Sequence, residues 1–251
     1  MSLLLREKMK IIRLAQVDST NIYTKLHLTE FDDRTVVCAD RQTNGHGRFD
    51  RVWVDLGSEN IFMSLVLKPS REFKPVYANL TQYLSVVLAE VLQEYGLEPQ
   101  IKWPNDVLIN GKKIAGILCE TVVQGSNFKG LVLGAGINLN ASLEDISKIQ
   151  DKEATALNIE LQTGSVDKKV FLDKLLDKFF ENYDKFLQEG FVMIKDEYVK
   201  KACFLNKNIS VQVFNEKKSG FAKQINDFGE LVLENDNREF ILTIGDILWN
   251  N

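Results

Sequence analysis

The chain has 251 residues, 45% hydrophobic and 26% charged, a balance that suits one medium-sized globular domain with a small appendage. Its formal net charge of -4 and its pI near 5.4 argue against non-specific nucleic-acid binding, which draws on a basic excess. No apolar run approaches the roughly 20 residues of a membrane span, and the opening MSLLLREKMK is too short and too charged for a signal peptide. Cys38, Cys119 and Cys203 lie far apart in apolar surroundings with no C-x-x-C spacing. They read as buried free thiols of a reducing compartment, and the chain as a soluble cytoplasmic protein.

In chain order, IIRLAQV (Ile11–Val17) reads as a short strand. Asp18, Ser19 and Thr20 follow, all good N-cap types, and NIYTKLHL reads as a short helix containing His27. Residues 34–40 are β-branched and read as a strand. Residues 60–67 are apolar at nearly every position, which suits a strand buried on both faces. Across 79–95, Leu80, Tyr83, Leu84, Val87, Leu88 and Val91 recur at helical spacing, and Gly96 is the stop signal. Asn110-Gly111 lies between two β-rich runs and signals a type I′ hairpin. Residues 128–140 read as the next antiparallel strand, and 170–187 as a second strong helix. From about Asn206 the pattern changes to short alternating strands, with turn signals at Gly220, 227–229 and 235–237. This reads as a small all-β, barrel-like module. The fold class is α+β, with a boundary near Cys203.

Three stretches carry chemistry. In TNGHGRFDR (43–51), Gly45 and Gly47 let the backbone approach a ligand and expose its N–H groups. Arg48 and Arg51 add charge that cannot be lost near neutral pH. The combination suits a carboxylate or phosphate, or else a solvated basic turn. His46 has only His27 as a second histidine, so a loop hydrogen bond is the better reading than metal ligation. The two glycines also suggest a loop that orders over bound ligand. In KWPND (102–106), Lys102, Asn105 and Asp106 place a cation, an amide and a carboxylate on one irregular turn, with Pro104 interrupting strand pairing; a plain strand-to-turn link is the alternative. Lys112 and Lys113 open the strand beyond the hairpin. LGAGINLN (133–140) lacks the third glycine and the following helix of a dinucleotide-binding run. Its glycines suit close approach of another segment or a ligand to a strand. There is no Walker-type loop.

Taken in order, VDSTN (17–21), DRQTNGHGRFDRVW (40–53), KWPNDVLINGKKIAGILCE (102–120) and GAGINLN (134–140), with the C-terminal β module, resemble the biotin protein ligase family over nearly the whole chain. The resemblance implies a mixed central sheet flanked by helices in a catalytic domain, 1–203, and an SH3-like barrel, 204–251. It implies that biotin and ATP give biotinyl-5′-AMP and pyrophosphate, with Mg²⁺ assisting and no confident metal ligand among the side chains. A lysine of a biotin carboxyl carrier domain then takes the biotinyl group. Arg48, Lys102, Asp106 and Lys113 are the implied catalytic residues. Asp106 orients the incoming lysine or takes its proton. Ser19, Thr20, Asn21, Gln42, Gly45 and His46, with Arg48 and Lys113, are implied around biotin, and Gly116 and Ile117 along its tail. Arg51, Trp53, Asn105 and Asn138, with Arg48 and Lys102, are implied around the adenylate, Trp53 stacking on adenine. The segment EATALN (153–158) departs from relatives that place an aromatic there, since this chain has Ala154. Relatives that repress transcription carry an N-terminal helix-turn-helix domain; here the first strand begins near residue 11, so no DNA binding or repressor function is expected. The resemblance allows a homodimer through sheet edges. A lipoate ligase-like acyltransferase shares the fold, but KWPND and GHGR argue against it. A non-catalytic anion-binding or interaction module is the reading from another class.

Overall fold

The computed structural model describes residues 9–149 and 153–248; the charged opening segment through residue 8 and Trp249 of the C-terminal module lie outside them. Seven strands form the larger sheet: β1 (Ile11–Val17), β2 (Val36–Gln42), β3 (Ile61–Leu67), β4 (Pro99–Lys102), β5 (Asp106–Ile109), β6 (Lys112–Gln124) and β7 (Asn127–Ile137). Their order is β1-β2-β3-β7-β6-β5-β4. β1 and β2 are parallel and the other pairs antiparallel, so the sheet is mixed. The expected strand at 34–40 starts later, at Val36, because Arg34 holds a left-handed backbone, φ 65°, incompatible with an extended strand. Asn110 and Gly111 adopt φ 51° and 78°, as a type I′ hairpin requires.

The helices are α1 (Thr20–Leu26), α2 (Leu80–Glu94), α3 (Leu143–Ser147), α4 (Leu157–Glu160), α5 (Lys168–Glu189) and α6 (Lys195–Lys201). α1 stops at Leu26, one residue short of His27, which serves as its C-cap. The apolar stripes of α2 and α5 meet. Tyr83 stacks on Phe186 at 4.4 Å between centroids, and its hydroxyl donates to the Phe179 carbonyl at 2.6 Å. Alternate residues of β3 (Ile61, Met63, Leu65 and Leu67) enter the same core. Val66 points the other way and packs with Leu28 and Val132. β3 is therefore buried on both faces, as its unbroken apolar run predicts, and each such side chain contributes about 1.5–3 kcal/mol.

The second sheet is wholly antiparallel: β8 (Asn208–Val213), β9 (Glu216–Ile225), β10 (Leu231–Asn235), β11 (Arg238–Leu242) and β12 (Asp246–Leu248), in the order β11-β10-β9-β8-β12. This is consistent with an SH3-like barrel. One turn signal is corrected. Gly220 lies inside β9, and the chain reverses instead at Phe214 and Asn215, between paired Val213 and Glu216. Gly220 is needed for close approach, since a Cβ there would stand 2.7 Å from the Glu234 carbonyl oxygen. The thiols are also corrected in part: all three are free, but only Cys38 is fully buried. Both sheets feed one hydrophobic cluster, in which Ile209, Val211 and Leu231 join Tyr198 and Phe204. Trp103 Nε1, between β4 and β5, and Gln82 Nε2 of α2 both donate to the Gly229 carbonyl, at 3.1 and 2.7 Å, tying the turn between β9 and β10 to the larger unit. Among the described residues no helix is long and apolar enough to cross a membrane.

Candidate active site

Register builds the floor of the site. Directly opposed residues of antiparallel strands project to the same face. Phe62 of β3 opposes Gly136 of β7, Gly136 opposes Gly116 of β6, Gly116 opposes Asp106 of β5, and Asp106 opposes Lys102 of β4. One row across the sheet therefore carries two neighbouring glycines and then the carboxylate and ammonium of KWPND. The glycines cut a trough that holds the Trp53 indole. A Cβ at Gly116 would stand 2.8 Å from Trp53 Cζ3, and one at Gly136 would collide with the ring. In the next row Gly134 makes room for Asn21. The Asn21 side chain accepts from Ser64 Oγ at 2.6 Å and donates to Glu120 at 2.9 Å. The glycine-rich run thus admits other chain segments onto the strand.

Lys113 reaches this face only through a β-bulge. Strict alternation would put Lys113 and Gly116, three residues apart, on opposite faces. A register shift in the β5–β6 ladder places one extra residue in β6, so that Leu108 opposes Lys113. Lys113 Nζ lies 2.6 Å from Asp106 Oδ1 and 5.3 Å from the Trp53 ring centroid. The Lys113 backbone also brackets Ala154, donating to the Glu153 carbonyl at 2.9 Å and accepting from Thr155 N at 3.0 Å.

The loop at 43–51 doubles back on itself. Trp53 N donates to the Gly45 carbonyl at 2.9 Å, and Gly47 N donates to the Arg51 carbonyl at 2.7 Å. This corrects the expectation that both glycines expose N–H groups to a ligand: the Gly47 N–H is spent inside the loop. The glycines relieve crowding there, since a Cβ at Gly45 would stand 2.5 Å from the Trp53 carbonyl oxygen. Arg48 Nη1 donates to Asn105 Oδ1 at 3.2 Å, to the Gly245 carbonyl at 3.1 Å and to Asp246 Oδ1 at 3.1 Å. Arg51 Nη1 lies 2.6 Å from Asp246 Oδ2. Asn105 is held in turn by Ile117, its Nδ2 donating to the Ile117 carbonyl at 2.7 Å.

Burial lowers the pKa of the Arg48 guanidinium against the pull of Asp246 and Asp106. It lowers that of Lys102 as well, with Asp106 opposing. Both cations have given up water, and Arg48 is also held in place by its three acceptors. At the other end the groups are neutral. Thr20 N and Oγ1 donate to Gln42 Oε1 at 2.7 and 3.2 Å, leaving the Gln42 amide nitrogen to donate elsewhere. Ser19 starts α1 without a capping bond from its side chain.

These groups surround a cavity of about 620 Å³, large enough for a nucleotide-sized ligand. All the residues expected from the sequence line it except Gly45 and Lys102. Gly45 sits behind Trp53, and Lys102 lies one place beyond Asp106 in the row. His46 is on the lining and bridges to Val52. Asn138 is on it too, its Nδ2 donating to the Thr155 carbonyl at 3.0 Å. Ala154 puts only a methyl on its wall. Sequence reading missed Asp246, Lys148 and Ile149. No local signal marks Asp246, because its place depends on how the second sheet packs. Among the described residues no group of three or more His, Cys, Asp or Glu side chains gathers to hold a metal. Asp106 and Asp246 each face a cation.

A mixed sheet carrying this constellation defines a class, and residues 14–138 match the Biotin/lipoate A/B protein ligase family. The biotin–[acetyl-CoA-carboxylase] ligase of Paracoccus denitrificans is 32% identical, over 88% of this chain and 92% of that protein. The bifunctional ligase/repressor BirA of Bacillus subtilis is 33% identical over 80% of this chain; the match spans 61% of that longer protein. The biotin protein ligase from Aquifex aeolicus, solved in complex with biotin and ATP, superposes with a TM-score of 0.79 at 27% identity, over 95% of this chain and 97% of that one. The chain belongs to the biotin protein ligase family.

Proposed function

We propose that this chain is a biotin protein ligase. Biotin's carboxylate attacks the α-phosphate of ATP, pyrophosphate leaves, and biotinyl-5′-AMP forms. The amine of a carrier-domain lysine then attacks the acyl carbon, the C–O bond to AMP breaks, and an amide forms. The observation that carries this reading is the cavity in which Arg48, Lys113 and Asp106 converge, with Lys102 next in the row. Two anions must meet in the first step, and fixed cations lower that barrier by stabilising the charge that spreads over the phosphate. Arg48 and Lys113 flank the meeting point, Lys102 holds the mixed anhydride, and Asp106 orients the incoming amine or accepts its proton. Mg²⁺ bound with the triphosphate would add further neutralising charge to that of Arg48 and Lys113.

At the neutral end, Ser19, Thr20, Asn21 and Gln42 suit the ureido ring of biotin, with Gly45 and His46 beside them and Gly116 and Ile117 along the tail. A dithiolane offers those groups no partners, and each one left unpaired costs about 1–3 kcal/mol; this favours biotin over lipoate. Arg51, Trp53, Asn105 and Asn138 surround the adenylate, with Trp53 supplying an aromatic face for adenine. Further parts of the proposal are a catalytic domain at 1–203, a barrel at 204–251, a cytoplasmic location, the carrier of acetyl-CoA carboxylase as acceptor, and a homodimer through sheet edges. Biotin-dependent exchange of labelled pyrophosphate into ATP, together with transfer to a purified carrier domain, tests the activity. Folded protein that catalyses neither reaction refutes it.

A further inference from the structure

Phe49 and Phe214 lie far apart in the chain and meet edge to face, with ring centroids 6.0 Å apart and planes at 83°. Both remain exposed, at 40% and 67%. Both also hold a left-handed backbone, φ 53° and 50°, a region bulky residues rarely adopt. Glycine or asparagine would make either turn with less strain, and rings left in water add little to the fold. Strain of this kind, held by the surrounding structure, is a pointer to function. The pair stands at the mouth of the cavity: Arg48, on the cavity lining, lies 4.9 Å from the Phe49 ring centroid. Val52, also on the lining, is 71% exposed and extends the apolar rim.

We propose that Phe49, Phe214 and Val52 form the docking rim for the acceptor protein domain. The inference rests on the ligase reading above and adds where the partner sits. A lysine reaches only the length of its four-carbon stem. For its amine to enter the cavity, the surface around it must rest on the rim. Aromatic side chains are the usual anchors of such contacts. Cations lie on the same two segments as the phenylalanines: Arg51 on the lining and Lys217, exposed on the Phe214 hairpin. They fit a partner surface that is apolar beside the target lysine and acidic around it. Biotin and ATP, by contrast, need no contact with Phe214.

The test compares Phe214→Ser, Phe214→Leu and Phe228→Ser, the last an exposed phenylalanine on the turn between β9 and β10, outside the cavity lining. Three readouts separate the steps: pyrophosphate exchange, capture of the adenylate by hydroxylamine to give the hydroxamate and AMP, and transfer to a purified carrier domain. Phe214→Ser is expected to raise the KM for the carrier about fivefold or more, with exchange and hydroxylamine capture unchanged. Phe214→Leu restores most of the loss and Phe228→Ser shows none. An unchanged carrier KM in Phe214→Ser overturns the proposal. So does a parallel fall in hydroxylamine capture, which would place the effect on the adenylate, or a change of oligomeric state, which would assign the rim to a second copy. Absence of exchange in the unsubstituted protein is a different result and sinks the ligase reading itself.

Discussion

Lys102 ends β4 as a cation that burial has pulled below the ordinary lysine pKa of 10.5. The sign of its effect on stability follows from linkage. In the window between the lowered folded value and 10.5, the unfolded chain binds more protons, so stability rises with pH there. Below that window the charged, buried ammonium is a constant cost. Lys102→Met removes the cost and keeps the stem's packing, while Asp106 retains Lys113 as its partner. The variant is expected to melt at the parent temperature or slightly above it, and to lose about 100-fold in exchange rate. A clear drop in melting temperature would show that Lys102 holds the fold together rather than serving the reaction. Residue types were legible at this scale: KWPND and the GHGR loop offered cations suited to an anion. Their partners were not, because Asp246 lies 198 positions beyond Arg48.

Among the elements, periodicity alone located α2, α5 and β3, whose apolar positions repeat at helical spacing or run unbroken. It misread Gly220 as a turn, because a glycine that admits a neighbouring backbone looks like one that reverses the chain. The parity of β6 was also invisible. Alternation assigns Lys113 and Gly116 to opposite faces, and only the bulge brings them together. β7 offers the sharpest test. Gly136→Ala drives a Cβ into the Trp53 indole, which must tilt out of the trough. The expected outcome is about 1–3 kcal/mol of destabilisation in a urea melt, an altered tryptophan emission spectrum and weaker retention of the adenylate. Unchanged emission and affinity would mean that the indole adapts without leaving the site.

For the molecule as a whole, the second sheet is part of the site's electrostatics. Asp246 takes Arg48 and Arg51 together, and the two sheets share one hydrophobic cluster. Asp246→Ala leaves a mostly buried guanidinium without its carboxylate. It is expected to destabilise the protein by about 1–3 kcal/mol, to leave thermal unfolding as a single calorimetric transition, and to slow pyrophosphate exchange. An unaltered exchange rate would confine Asp246 to a structural role. The sequence by itself determined the class of fold, the family, and the residue types available for chemistry. Those follow from hydrophobic period, turn chemistry and short motifs, all written locally. Only the tertiary structure decided which groups face one another: the row from Phe62 to Lys102, the bulge that turns Lys113, the carboxylate that holds the loop arginines, and the phenylalanine rim. Each depends on strand register or on packing between distant segments, and neither is encoded within a window of neighbouring residues.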